Sequence, residues 1–586
     1  MMSRHVLLSV FCGAAILPFV LHPAGNRGSQ SQLAAPSELR DTVTLYTQDR
    51  AALLRRYEVE YSPARRERMR RFYRDWQNRL NRMDFDRLSQ EGKVDYILLA
   101  NEVRYQLELL SREERQYEEM LPLAPFAPVV MDLVESWRRM ESMDPPKAAA
   151  TLAALAKDVE GARQQLRAVG RTDGSSRRIV AFRTLGMVEN LRRILERWNG
   201  FYSGYDPMYS WWAADPYKRA DQALADYLKA LREEVLGFRP GQEEPIIADP
   251  IGAEGIRADL SHEMIPYSLE ELVAIAEQEF AWCEAEFKKA AREMGFGDDW
   301  RAALEKVKQS YVEPGKQPDL VRDLAREAEE FVERRDLVTV PPLAKEIWRM
   351  EMMSPERQRV SPFFLGGEVI RISYPTDGMT HEEKLMSMRG NNPYFSRATV
   401  HHELIPGHHL QGFMTSRYNS HRQAFSTPFW GEGWALYWEM LLWDLGFPRT
   451  PEEKIGMLFW RSHRAARIIF SLSVHLGTMT PEEAIEFLVQ RVGHERANAA
   501  AEVRRSFNGT YPPLYQAAYM LGGLQFRALH RELVESGKMT NRQFHDAILR
   551  GGRMPVEMVR ARLTGERLTR DYRSRWRFAE VSPPAR

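Results

Sequence analysis

Cysteine is nearly missing from this chain, with two residues in 586. Cys12 lies inside an apolar N-terminal run, so removal of that run leaves Cys283 alone and no intrachain disulfide can form. Stability must then come from packing. No charge sign is in excess either: 82 basic and 81 acidic side chains leave a net charge of +1, without any long basic run. That balance argues against nucleic acid as a partner. Apolar runs long enough to cross a bilayer are lacking as well. The nearest is Val6 to Leu21, slightly short for a stable transmembrane helix. It follows Arg4 and His5 and leads to Pro23-Ala24-Gly25, the layout of a secretory signal over residues 1–25. The expectation is an exported protein, periplasmic or secreted, attached to a membrane only if the segment stays uncleaved. Phe11 stands where a lipid-attachment signal before Cys12 would need a small residue.

What remains is an ordinary globular composition, 44% hydrophobic and 28% charged. The length exceeds one simple core. Apolar residues recur at helical spacing over most of the chain, as in Tyr96 to Ala100 continuing through Val103, Leu107 and Leu110. Ser268 followed by Glu270 and Glu271 is a helix start. Connectors rich in proline and aromatics are expected at Leu121 to Pro128, Tyr202 to Pro216 and Arg239 to Gly255. The stretches Leu337 to Val340, Ile347 to Met353 and Glu368 to Tyr374 are β-leaning and predict a small sheet of a few strands. The fold expected is mainly α, two helical lobes around a deep substrate cleft with a small sheet beside the site. The helical N-terminal lobe would cover residues 26–335 and the catalytic lobe 336–586.

Histidine is also scarce, 14 in all, yet four fall within His401-His402-Glu403-Leu404-Ile405-Pro406-Gly407-His408-His409. Imidazoles clustered beside a carboxylate are what a zinc site needs. A common zinc-peptidase motif puts the second histidine four residues after the first on one helix, but that position holds Pro406. On a straight helix His408 would be rotated about 240° from His402, and His409 would lie on the same face about 10 Å along the axis. Pro406 and Gly407 permit a kink or bulge that would return His408 to the vacant position. His402 and His408 are therefore the expected ligands, with His409 as the fallback.

A catalytic zinc usually has three protein ligands. Thr427-Pro428 starts a helix that carries Glu432 early, the expected third ligand, and Glu439 two turns later as its supporting candidate. Glu403 is placed to move protons. Tyr511, Tyr515 and Tyr519 offer phenols for an oxyanion, and His475 an imidazole.

The residues His402-Glu403-x-x-Pro406-Gly407-His408-His409-x-Gln411 and Glu432-Gly433-Trp434-Ala435-x-Tyr437 resemble the signature of the bacterial domain-of-unknown-function 885 proteins. Weaker likeness covers Pro250-Ile251-Gly252, Ile265 to Ser268, Arg464 and Arg467, and Pro513 to Tyr519. That family is in turn similar to the mainly helical gluzincin zinc peptidases. There the third ligand is a glutamate about 24 residues after the second histidine, the separation of Glu432 from His408, and a later tyrosine and histidine assist the oxyanion, a resemblance that favours Tyr519 with His475. The resemblance also implies short peptide substrates in a channel between helical lobes, and an edge strand such as Val369 to Tyr374 to hold the peptide backbone. Ser471 and Tyr515 depart from the family's pattern, where an acidic residue and a glutamine are usual. The implied activity is zinc-dependent hydrolysis of short peptides. A non-catalytic peptide-binding protein and a metal-dependent hydrolase of a non-peptide amide or ester are the alternatives; an intact Glu403 disfavours the first.

Overall fold

A computed structural model describes residues 36–581, except 170–174, 240, 243, 359 and 510. The expected signal segment lies outside them. Among the described residues there are twenty-three α-helices and a single sheet of two short strands. No helix among them is long and apolar enough to cross a membrane.

Local sequence accounts for most helix starts. Ser268 and Glu271 form a reciprocal capping box, as do Thr380 with Glu383, Thr450 with Glu453, Thr480 with Glu483 and Thr540 with Gln543. Asn392-Pro393 and Thr427-Pro428 supply a capping side chain followed by a first-turn proline. The expected connector from Tyr202 to Pro216 is instead mostly helix, Pro207–Ala230, with Pro216 inside it. Asp206 accepts hydrogen bonds from the Met208 and Tyr209 amides, so the start is well capped, and the buried Tyr209 and Ala213 hold the turn that proline would otherwise disfavour.

The sheet is smaller than the sequence suggested. Strands β1 (Arg349–Met352) and β2 (Val369–Ile372) pair in parallel, Arg349 opposite Val369 and Met352 opposite Ile372. Leu337 to Val340 forms no strand. It runs irregularly into the short Pro342–Ile347 helix, its Leu337 and Val338 side chains buried in the main core and the Thr339 amide bonded to Asp546. The far edge of β2 carries one antiparallel bridge to Leu365. Ile370 and Ile372 pack with Val400 and Leu404, so the strands lean on the helix that bears His402.

Residues Ser37 to Arg586 cluster as one compact unit. Its apolar interior has two large parts. One collects Val59 and residues between Tyr117 and Phe238, a helical assembly that includes Trp198 and Tyr227. The other joins Leu39 to Leu110 and Ala248 to Val332 with residues from Leu337 to Phe578. Arg422 ties the second part together. Fully buried, it donates to Asp95 and Glu91 at 2.7 Å each and to the Gly551 carbonyl at 2.7 Å.

Two helices cross at backbone contact next to the site: the tryptophan helix (Pro428–Asp444) and the tyrosine helix (Tyr515–His530). A Cβ on Gly433 would lie 2.6 Å from the Gly522 Cα, and one on Gly522 would lie 2.1 Å from the Phe429 carbonyl oxygen. Only glycine allows this approach, and the approach brings Glu432 against Tyr515. We expect Gly433→Ala or Gly522→Ala to destabilise the protein by roughly 1–3 kcal/mol through overpacking. Gly161→Ala, in a helix with open space around it, should be neutral or stabilising by up to about 1 kcal/mol. Denaturant melts of the three variants provide the measurement.

Candidate metal centre and its cavity

The chain between the paired histidines does not bulge; it leaves the helix altogether. The first histidine helix is Pro393–Glu403, and a second, His408–Thr415, begins at His408 itself. Leu404 to Gly407 form a tight turn closed by the Gly407 amide on the His401 carbonyl (3.0 Å) and the His409 amide on the Leu404 carbonyl (3.1 Å). A Cβ on Gly407 would sit 1.8 Å from the His402 carbonyl oxygen, so the turn requires glycine by close approach. The Trp434 indole N–H donates to the Pro406 carbonyl at 2.9 Å and clamps the turn to the tryptophan helix.

That turn sorts the four histidines. His402 and His408 converge, their rings 4.9 Å apart, and together with Glu432 their ligand atoms all lie within 4.8 Å of one another. His409 turns away, its Nε2 2.7 Å from the Ala344 carbonyl, which removes the fallback ligand from the group. His401 is buried against Phe447 with neither ring nitrogen hydrogen-bonded, and burial pushes its pKa down to about 3.

Glu439 decides the state of His402. Its Oε1 lies 2.7 Å from Nδ1, and a carboxylate can only accept, so Nδ1 carries a proton and Nε2 is the nitrogen left to face the candidate metal position. Burial opposes the charge of Glu439, but the His402 hydrogen bond and Arg464 overcome it and hold the carboxyl below its ordinary range. His402 Nε2 faces Glu432 Oε2 at 3.5 Å. His408 repeats the pattern. Its Nδ1 is 3.4 Å from Gln411 Oε1, whose amide nitrogen donates to the Gly431 carbonyl at 3.0 Å, and its Nε2 is 3.0 Å from the same Glu432 oxygen.

Two imidazole nitrogens facing one carboxylate oxygen make a place for a cation. Without a metal, His408 supplies it as imidazolium: burial opposes that charge, but Glu432 outweighs it and pushes the pKa up to about 9. Glu432 is correspondingly held well below the carboxylate range by the histidines, against burial. Four-coordinate zinc with ligand bonds near 2.0–2.1 Å has ligand atoms about 3.3 Å apart, close to the 3.5 and 3.0 Å that separate His402 and His408 from Glu432. The donor set fits a divalent metal; its identity is open. The other Glu432 oxygen accepts from the Tyr515 hydroxyl, leaving a single oxygen for an ion.

The centre opens on a cavity of about 690 Å³. Glu403 lines it beside His402, and burial raises its carboxyl above the ordinary value. A Cβ on Gly366 would strike the Glu403 side chain at 2.4 Å, and the Gly367 amide holds the Glu403 carbonyl at 3.2 Å. Tyr519 also lines the cavity, its ring stacked 6.0 Å from His402 and its hydroxyl without a hydrogen-bond partner among the described residues. His475 does not reach it. It ends the arginine helix (Pro451–His475) against Phe507, on the same face as the cavity-lining Arg464 but about 16 Å further along the axis. Arg464 and Arg467 hold the place the imidazole was expected to take.

Sequence reasoning missed Gly366 and Arg505, which reach the cavity from a loop and a separate helix with no local motif to mark them.

The sequence pattern of a family described as "Bacterial protein of unknown function (DUF885)" matches residues 51–563. Among curated proteins nothing matches the chain. Two solved structures share the fold. One is described as a "putative lipoprotein of unknown function" from Shewanella oneidensis: TM-score 0.61, 17% identity, covering 89% of this chain and 98% of that one. The other, a "putative lipoprotein" from Colwellia psychrerythraea, has TM-score 0.57 and 17% identity over 90% of this chain and 98% of its own.

We expect the purified protein to bind one divalent ion per chain and to gain thermal stability from it, about 2.7 kcal/mol at 100-fold excess over Kd. His402→Ala should lose the ion. Glu439→Gln should keep it with affinity weakened about 10–100-fold. Calorimetric titration and elemental analysis read both effects.

Proposed function

Because the chain belongs to the DUF885 family, whose description gives no activity, we propose from the site itself that it is a zinc-dependent peptidase for short peptides. The observation that carries this reading is the convergence of His402, His408 and Glu432 at the floor of a cavity that also exposes Glu403. The likeness to mainly helical gluzincins supports it, with Glu432 24 residues after His408 and helical walls around a substrate cleft. A bound zinc ion would supply a Lewis acid for the scissile carbonyl and bring the pKa of water toward neutrality.

The chain's own groups divide the remaining work. Glu403 takes a proton from the attacking water and delivers it to the leaving amine as the carbonyl–nitrogen bond breaks. A raised carboxyl pKa suits a group that must both accept and return a proton. The Tyr519 hydroxyl, free of other partners among the described residues, donates to the oxyanion. Tyr515 holds Glu432 in place. Exposed only toward the cavity, the site keeps bulk water away from the developing charge. An exported, cell-envelope location belongs to the same reading, supported by the signal-like pattern of the N-terminal sequence and by the lipoprotein descriptions of two proteins of this fold.

Glu403→Gln should retain the metal and lose peptide hydrolysis by at least about 100-fold, the span of general base catalysis. Gly366→Ala should do likewise, because the new methyl displaces the Glu403 carboxylate. Mass spectrometry of a short-peptide panel, with and without chelator, measures this. Metal-dependent peptide binding without any cleavage by the unaltered protein would make it a peptide-binding protein instead.

A further inference from the structure

Beside the metal group the cavity wall holds more buried positive charge than its carboxylates can answer. Arg464, Arg467 and Arg505 all line the cavity and are 4%, 2% and 7% exposed. Arg467 and Arg505 share one carboxylate, Glu502, at 2.6 and 3.7 Å. Arg464 reaches only Glu439, at 3.6 Å, and that oxygen already accepts from His402. Each arginine keeps one shielded nitrogen without a partner: Nε of Arg464, Nη1 of Arg467 and Nε of Arg505. Burial and the neighbouring Arg467 depress the pKa of Arg464, as expected for a cation short of counter-charge.

The charge count points the same way. With a divalent ion in place, that ion and three guanidiniums present five positive charges to the four carboxylates of Glu403, Glu432, Glu439 and Glu502. Further out, Arg357, Arg371 and Arg553 line the cavity, and its only acidic lining residues, among those described, are Glu403 and Glu432. An unanswered buried cation is costly, so the site is built to receive an anion. Arginine is the side chain suited to a carboxylate, which it can bind through two parallel hydrogen bonds.

We infer that Arg464, Arg467 and Arg505 form a subsite for the free C-terminal carboxylate of a peptide, so that cleavage falls within about three residues of that end. This rests on the metallopeptidase reading. The Arg467 guanidinium lies 4.2 Å from the Tyr519 ring centre, itself 6.0 Å from His402. The guanidinium is therefore no more than about 10 Å from the His402 ring, a span that an extended chain at ~3.3–3.6 Å per residue covers with about three residues. An acidic side chain offers the same chemistry, and the test separates the two sources.

Zinc-loaded protein is given three N-acetylated tetrapeptides: a free acid, its C-terminal amide, and an amide with a terminal glutamate. The expected result is cleavage of the acid with kcat/KM about 100-fold above the plain amide, releasing about one to three residues from the C-terminal end. Equal cleavage of acid and plain amide, or cuts spread through longer peptides, would overturn the proposal. A glutamyl amide as good as the acid would overturn the C-terminal assignment in favour of a side-chain carboxylate. Titration calorimetry of zinc-loaded Glu403→Gln with the acid and the plain amide reads binding without turnover, and at least tenfold weaker binding of the amide is expected. If nothing is cleaved but that preference holds, the peptidase reading fails and the carboxylate subsite stands; equal affinities sink the subsite. Arg464→Gln should shrink the acid–amide gap tenfold or more, and the comparison on unaltered protein decides the matter if that variant does not fold.

Discussion

The site depends on one imidazole held by a carboxylate at each nitrogen. Glu439 binds His402 at Nδ1 and Glu432 faces Nε2, and both acids come from the same helix, seven residues apart. Two helical turns advance about 10 Å, the span of an imidazole with a partner at either edge. One regular helix therefore fixes the tautomer of His402, the position of the third ligand and the distance between them. The remaining parts are brought to that axis: His408 by the turn at Pro406 and Gly407, and Tyr515 by the crossing at Gly433 and Gly522.

The buried ionic groups are partly answered by shared carboxylates. Glu439 sits between His402 and Arg464, and Glu502 between Arg467 and Arg505. Aromatic faces do part of the screening. The Tyr519 ring lies under both Arg464 and Arg467, at 4.6 and 4.2 Å, while its other neighbour is His402. Ligand group and arginine group thus share one aromatic divider, and a change in either is felt by the other.

The candidate ligands were legible in the sequence because their signals are local. A His-Glu pair, a second histidine pair after Pro-Gly, and a capped helix start before Glu432 can all be read along the chain. It also indicated a mainly helical fold, since caps and periodicity are local too. What it concealed depends on packing between distant segments. Leu337 to Val340 has strand-like residues but finds no partner strand and is buried against helices instead. His475 has the right chemistry, yet a helix carries it past the cavity, and a distance along an axis does not appear in a list of residue types. Glu439 could not be told from an ordinary core carboxylate until its partner across the interface was in view. Gly366 carries no motif at all; its meaning is the volume that Glu403 occupies.

Arg422 has one more implication. Its guanidinium is sealed in the interior, and two of its three partners, Asp95 and Glu91, belong to the Gln90–Met120 helix, while the metal ligands all lie beyond residue 400. A fragment starting after that helix would strand a desolvated cation, a loss on the order of 3–5 kcal/mol and a large fraction of what holds a domain folded. The metal-binding portion is therefore not portable: excised from the amino-terminal helices, or grafted elsewhere, it would lack its counter-ions. Evolution could lengthen or decorate the separate helical assembly around Trp198 far more freely than it could dispense with Asp95.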